Sequence, residues 1–179
     1  HMVDDLPSTG KVCGGDFGLK KLLILDDGIK IPLPRWDKKS EDHLHYWQRL
    51  ASRRLLKVKE VMKADSSLKL SDFRNYQKAR QMCAEIQEHI ANQRLDYLHK
   101  LSSWLVEQYD VIVIEDLKTK VMLHNHKLAG AVSNAGWSKL IGMLRYKCER
   151  YGKTLIQVDP AYTSQTCSAC RCINRRRGY

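Results

Sequence analysis

Two carboxylates about a hundred residues apart, Asp16 and Glu115, and a cysteine pair near the end, Cys167 and Cys170, are the residues whose types and settings suit chemistry. Asp16 stands in the glycine-rich segment VCGGDFG, and Glu115 closes the apolar run of DVIVIEDL. If these segments are neighbouring parallel strands, both carboxylates emerge at one edge of a sheet. Such a pair offers hard oxygen ligands to a divalent cation. Two ions about 4 Å apart would activate water and stabilise the leaving oxygen in phosphodiester cleavage. Lys20 and Lys21 lie close in sequence and would attract a polyanionic backbone. Plainer readings stay open: a strand-end Glu caps a helix or pairs with Arg, and an Asp among Gly14, Gly15 and Gly18 occupies a turn.

The remaining candidates are weaker. GGDFGLK lacks the glycine spacing and the terminal Lys-Ser/Thr of a phosphate loop, and its acidic centre would repel phosphate. Its glycines read better as room for a metal and a nucleic-acid strand to approach. Strand alternation turns Asp116 away from Glu115. Asp26 and Asp27 suit a hairpin turn, and Asp159, at a strand end from which it could approach the site from the side, better suits a turn before Pro160. Cys167 and Cys170 form a C-x2-C pair, half of a tetrahedral zinc site, with Cys172 either a third ligand or a bystander. His124 and His126 lie in a polar connection and read as solvent-exposed.

The elements that must position these groups follow from periodicity. Residues 12–18, 22–25 and 29–33 predict three short strands, with Asp27-Gly28 as a hairpin signal. From about Asp37 the pattern turns helical through Leu44, Trp47, Ala51, Leu55, Val58 and Met62. A second helix is expected from about Ser71, capped by its hydroxyl. Thirty-five helical residues would extend roughly 50 Å, so the two helices should pair as an antiparallel arm. Val111–Ile114 predicts a central strand buried on both faces. Residues 137–151 predict a helix with Gly152 as C-cap, and 154–159 a fifth strand. The order implies an α/β layer with a mixed sheet.

The chain has 179 residues, 31 Lys plus Arg against 20 Asp plus Glu, and a net charge of +11. That length supports one core without disulfides. Six cysteines, three of them inside apolar or helical patterns, point to a reducing compartment and a cytoplasmic location. No apolar run spans a membrane and no secretory leader is evident. The positive balance favours polyanions, with DNA, RNA and acidic lipid undistinguished by composition. Lys38, Lys39, Arg49, Arg53 and Arg54, and Arg171, Arg175, Arg176 and Arg177 in the tail, form two electrostatic footprints.

GGDFGLKKLLILDDG at 14–28, HIANQRLDYLHKLSSWLVEQYDVIVIEDL at 89–117 and YGKTLIQVDPAYTSQTCSAC at 151–170 together resemble the RuvC-like nuclease domain of OrfB-type transposon proteins. Those proteins are RNA-guided DNA endonucleases related to type V CRISPR effectors. The resemblance implies an RNase H-like α/β fold, a mixed sheet with flanking helices and an inserted helical hairpin over about 37–108. It implies an N-terminal extension at 1–10, a core at 11–166 and an incomplete zinc-ribbon segment at 167–179. Asp16 and Glu115 match the first two catalytic carboxylates, with Mg2+ or Mn2+ as cofactor. Cys167 and Cys170 match the first half of a zinc ribbon, so Zn2+ would sit in an incomplete site. Guide RNA and target DNA are the implied partners. The family's third catalytic Asp and second cysteine pair have no counterpart in these residues, which reads as truncation and predicts weak or absent cleavage by the chain alone. The alternative is a catalytically incomplete RNA- or DNA-binding module.

Overall fold

The structure, a computed structural model, describes residues 6–117, 119, 122, 124 and 129–159. The chain divides into two compact units, residues 1–33 with 101–179, and residues 34–100. In the first unit β1 (Val12–Phe17), β2 (Lys21–Leu25), β3 (Lys30–Pro32), β4 (Val111–Glu115) and β5 (Thr154–Val158) form one sheet in the order β3-β2-β1-β4-β5. β1 is antiparallel to β2 and parallel to β4, which is parallel to β5. The sheet is therefore mixed, as the element order predicts.

Alternation decides which side chains form the core. Cys13 and Phe17 of β1, Leu25 of β2 and Ile112 and Ile114 of β4 are buried, and helical residues Leu105, Leu140 and Leu144 are fully buried in the same unit. Burying each such aliphatic side chain stabilises the unit by roughly 1.5–3 kcal/mol. These helical residues come from the last turns of α2 (Arg74–Gln108) and from α4 (Trp137–Arg150), preceded by the short α3 (Ala129–Ala135). Trp137 is also buried, its ring centroid 5.9 Å from Phe17. The other sheet face is more open than expected. Val111 and Val113 are only half-buried, and Val12, Ile24, Ile156 and Val158 are exposed. Among the described residues β4 is an interior strand, between β1 and β5, but fully buried on one face only.

Two turns explain the local chain path. Leu25 donates its N–H to Ile29 O at 2.9 Å and accepts from Gly28 N–H at 3.0 Å, closing the β2–β3 hairpin with Gly28 at φ 90°. After α4, Gly152 has φ 67°, a left-handed conformation that suits the expected C-cap glycine.

The second unit consists of α1 (Trp36–Ala64), a 3-10 turn (Leu70–Asp72) and α2 as far as Lys100. The helices are antiparallel. Trp36 meets Tyr97 edge-on at 5.5 Å, while nearer the turn the Arg54 guanidinium donates to the Asn75 carbonyl. Ser71 does not cap α2, which starts at Arg74. Asp72 instead accepts from the Lys69 N–H at 2.8 Å, and its carboxylate also takes the Ser71 hydroxyl. A carboxylate that reaches backbone three residues earlier closes a separate 3-10 turn and delays the helix.

Candidate metal centre

The strand starts set where the candidate carboxylates stand. Asp110, just before β4, donates its backbone N–H to Lys11 O and accepts Thr154 N–H, both at 2.8 Å, tying the starts of β1, β4 and β5 together. Its carboxylate accepts from Ser8 Oγ at 2.6 Å, Thr9 N–H at 2.9 Å and Gly10 N–H at 2.6 Å. The nearly buried Lys153 ammonium donates to it at 2.6 Å and to Pro7 O at 2.8 Å. These donors hold the Asp110 carboxyl well below the usual carboxylate range, the Lys153 and Ser8 hydrogen bonds contributing most. Sequence reasoning missed this cluster because its members are brought together only by strand pairing.

From this anchor the register runs Val12 to Val111, Cys13 to Ile112, Gly14 to Val113 and Gly15 to Ile114. One further step sets Asp16 level with Glu115 on the same, more open face, since alternation sends Gly15 and Ile114 to the buried side. A slip of one residue would turn one carboxylate into the core, so the Asp110 anchor protects the alignment. Asp16 is exposed and Glu115 half-buried. Burial, and next the negative charge of Asp16, push the Glu115 carboxyl up. Among the described residues no lysine or arginine forms an ion pair with either.

Two close carboxylates without a protein cation have the donor chemistry of a hard divalent ion, which keeps several waters and takes further oxygens from a phosphate substrate. Among the described residues there is no group of three or more His, Cys, Asp or Glu able to hold a metal. The adjacent glycines serve the sheet itself. A Cβ on Gly15 would stand 3.0 Å from Leu23 Cδ1, and one on Gly18 2.9 Å from the Lys21 carbonyl. Both glycines thus relieve contacts within β1–β2.

The other candidates take structural positions. Asp27 accepts Ile29 N–H at 3.0 Å and the Tyr109 hydroxyl, confirming its turn role. Asp116 is exposed and accepts the Gln157 side-chain amide at 3.4 Å. His124 is exposed. Cys13 and Cys148 are buried free thiols and Cys83 is a half-buried one. Cys167 and Cys170 lie outside the described residues.

A central mixed sheet with flanking helices, ordered 3-2-1-4-5, is the RNase H-like architecture of RuvC-type nuclease domains. A family model described as "Probable transposase", OrfB of the IS605 type, matches residues 3–126, and the chain belongs to this family. A second model, "Cas12f1-like, TNB domain", matches residues 137–179. Two relatives carry the name "Putative RNA-guided DNA endonuclease". That of Streptomyces pristinaespiralis is 36% identical over 165 residues, covering 92% of this chain and 37% of its own length. InsQ of Escherichia coli strain K12 is 32% identical over 181 residues, covering 92% of this chain and 40% of its own. This chain therefore spans well under half the length of either. A solved Cas12f1–sgRNA–target DNA complex is similar at 14% identity and a TM-score of 0.48, over 95% of this chain and 41% of that one. No described helix is long and apolar enough to cross a membrane.

Proposed function

We propose that Asp16 and Glu115 are two carboxylate ligands of a divalent cation, Mg2+ or Mn2+, in a nuclease centre that hydrolyses DNA phosphodiesters under the direction of a guide RNA. The observation that carries this reading is the parallel β1–β4 register, which leads to Asp16 and Glu115 at one level on one face. Family membership supports the reaction class, and the names of the relatives support guide RNA and target DNA as partners.

When bound, the cation would activate water and stabilise the charge on the leaving oxygen. The chain's own part is orientation. Asp16, exposed, offers oxygens from the solvent side, and Glu115, half-buried, is held by the interior strand β4. Lys20 and Lys21, exposed after β1, draw the polyanion toward this face. The core at 11–166 with its insertion at about 37–108 would carry the site, with 167–179 as an appended segment in which Cys167 and Cys170 would supply half of an incomplete Zn2+ site. Action on DNA in the cytoplasm suits the three free thiols among the described residues.

Mn2+ titration of the 179-residue chain followed by water proton relaxation tests the site. Binding should weaken at least about tenfold in Asp16→Asn and in Glu115→Gln, each of which keeps shape and removes charge. Wild-type affinity in both variants would overturn the assignment. With two carboxylates at the site, cleavage of single-stranded DNA by this chain should be slow or undetectable in Mg2+. Robust cleavage abolished by either substitution would show that two suffice. The absence of a third described ligand favours a second reading, a nucleic-acid-binding module without catalysis. It predicts salt-sensitive binding of RNA or DNA that is indifferent to Mn2+ and to both substitutions.

A further inference from the structure

Helix α1 turns its apolar line, Leu44, Trp47, Ala51, Leu55 and Val58, to one side and leaves a different chemistry on the other. That outward face carries an open, shallow depression lined by Asp42, His45, Tyr46, Gln48, Arg49, Ser52 and Arg53. Tyr46 is 52% exposed, unusually open for a large aromatic. Its ring is nevertheless held in place. It meets Trp47 edge-on at 5.3 Å, and the Trp47 indole N–H donates to His43 Nε2 at 2.9 Å. An aromatic ring oriented from one edge and open elsewhere is a ready surface for stacking.

Cations outnumber carboxylates along the helix beyond it. From Arg49 to Lys63 the helix holds six cationic residues, Arg49, Arg53, Arg54, Lys57, Lys59 and Lys63, and the single carboxylate Glu60. Arg49 spends one guanidinium N–H on the His45 carbonyl at 3.3 Å. Among the described residues neither Arg49 nor Arg53 forms an ion pair. Tyr46, Arg49 and Arg53 follow one another at three and four residues, so they rise along one face in steps of roughly 4.5 and 6 Å. Asp42 stands one turn before Tyr46 and would repel phosphate, which orients a bound strand from Tyr46 toward Lys63.

We infer that this face of α1 binds a single-stranded polynucleotide, an unpaired base stacking on Tyr46 while Arg49 and Arg53 take successive phosphates. A duplex offers phosphates but no free base face, so the exposed, oriented tyrosine selects for a single strand. The inference extends the nucleic-acid part of the proposed function and does not depend on its metal chemistry.

Fluorescence anisotropy with the 179-residue chain tests it in EDTA, which removes metal effects and separates this outcome from the fate of the Asp16–Glu115 proposal. The probes are a 20-nucleotide labelled RNA, the DNA of the same sequence and the blunt DNA duplex. Arg49→Gln with Arg53→Gln should weaken single-strand binding at least about tenfold and reduce the salt slope by about 1.4, roughly 0.7 for each lost phosphate contact. Tyr46→Ala should weaken single-strand binding at least about fivefold, leave the duplex unchanged, and be rescued by Tyr46→Phe. Arg74→Gln with Lys78→Gln removes the same charge from exposed positions on α2 and should have a smaller effect. Equal losses in the two double variants, or Tyr46→Ala binding like wild type, would overturn the proposal. So would self-association in sedimentation that the Arg49/Arg53 variant loses while its nucleic-acid affinity stays intact, since the face would then hold protein. Whichever of the RNA and DNA arms binds more tightly identifies the strand.

Discussion

Asp110 shows how much one side chain can organise. Its folded-state carboxyl lies below its unfolded value of about 3.9, so its contribution to stability is present above that value and fades as pH falls through the folded one. Asp110→Asn should therefore lower the urea midpoint at pH 7, with the gap from wild type closing as pH drops below about 4. A gap that widens on acidification would refute this sign. Gly18 is a second single-residue dependence. Gly18→Ala places a methyl group 2.9 Å from the backbone carbonyl of Lys21, which cannot move without shifting β2. A loss of about 1–3 kcal/mol is expected in denaturant unfolding, while Gly28, where nothing would meet an added Cβ, pays only for its positive φ.

At the scale of elements, the strands and long helices were legible because each has a clear period. Alternation in VCGGDF and VIVIE could put Asp16 and Glu115 on one edge only if the two strands were parallel neighbours, a condition that the β1–β4 pairing supplies. Periodicity does not report what covers a strand, which is why Val111 and Val113 were expected to be buried and are half-buried. It also misses competition among neighbours. Ser71 has the chemistry of a cap, but the longer Asp72 carboxylate reaches the Lys69 N–H first. Buried polar contacts were illegible for a related reason. Lys147, inside the apolar stripe of α4, donates to Ser102 and Ser103 at 2.8 Å each, and burial holds its pKa down. Packing in α2 can be checked directly. Leu105 is fully buried, so Leu105→Ala should cost about 2–5 kcal/mol in chemical unfolding, whereas Leu56→Ala on the exposed face of α1 should stay within about 0.5 kcal/mol.

For the molecule as a whole, burial is unevenly shared between the two units. The described core of the sheet unit includes Leu22, Leu23, Leu105, Ile112, Ile114, Leu140 and Leu144, all nearly inaccessible, while residues 34–100 bury far fewer large side chains. Local opening should follow that difference. Hydrogen exchange read by mass spectrometry should show amides of 50–85 opening at lower free energy than those of 111–115 and 137–150. Equal protection across both units would contradict the assignment of the main core to the sheet.

The pairing of Val12 with Val111 has a temporal consequence. A nascent chain completes β1, β2 and β3 early, yet β1 has no parallel neighbour until about a hundred further residues have been synthesised. Loop-closure entropy over that distance slows the encounter, and winding the intervening segment into two antiparallel helices shortens the gap before it is bridged. Formation of the hairpin would then set the pace at which the two acids meet, so a helix-breaking proline on the exposed side of α1 should delay refolding more than it weakens the finished sheet.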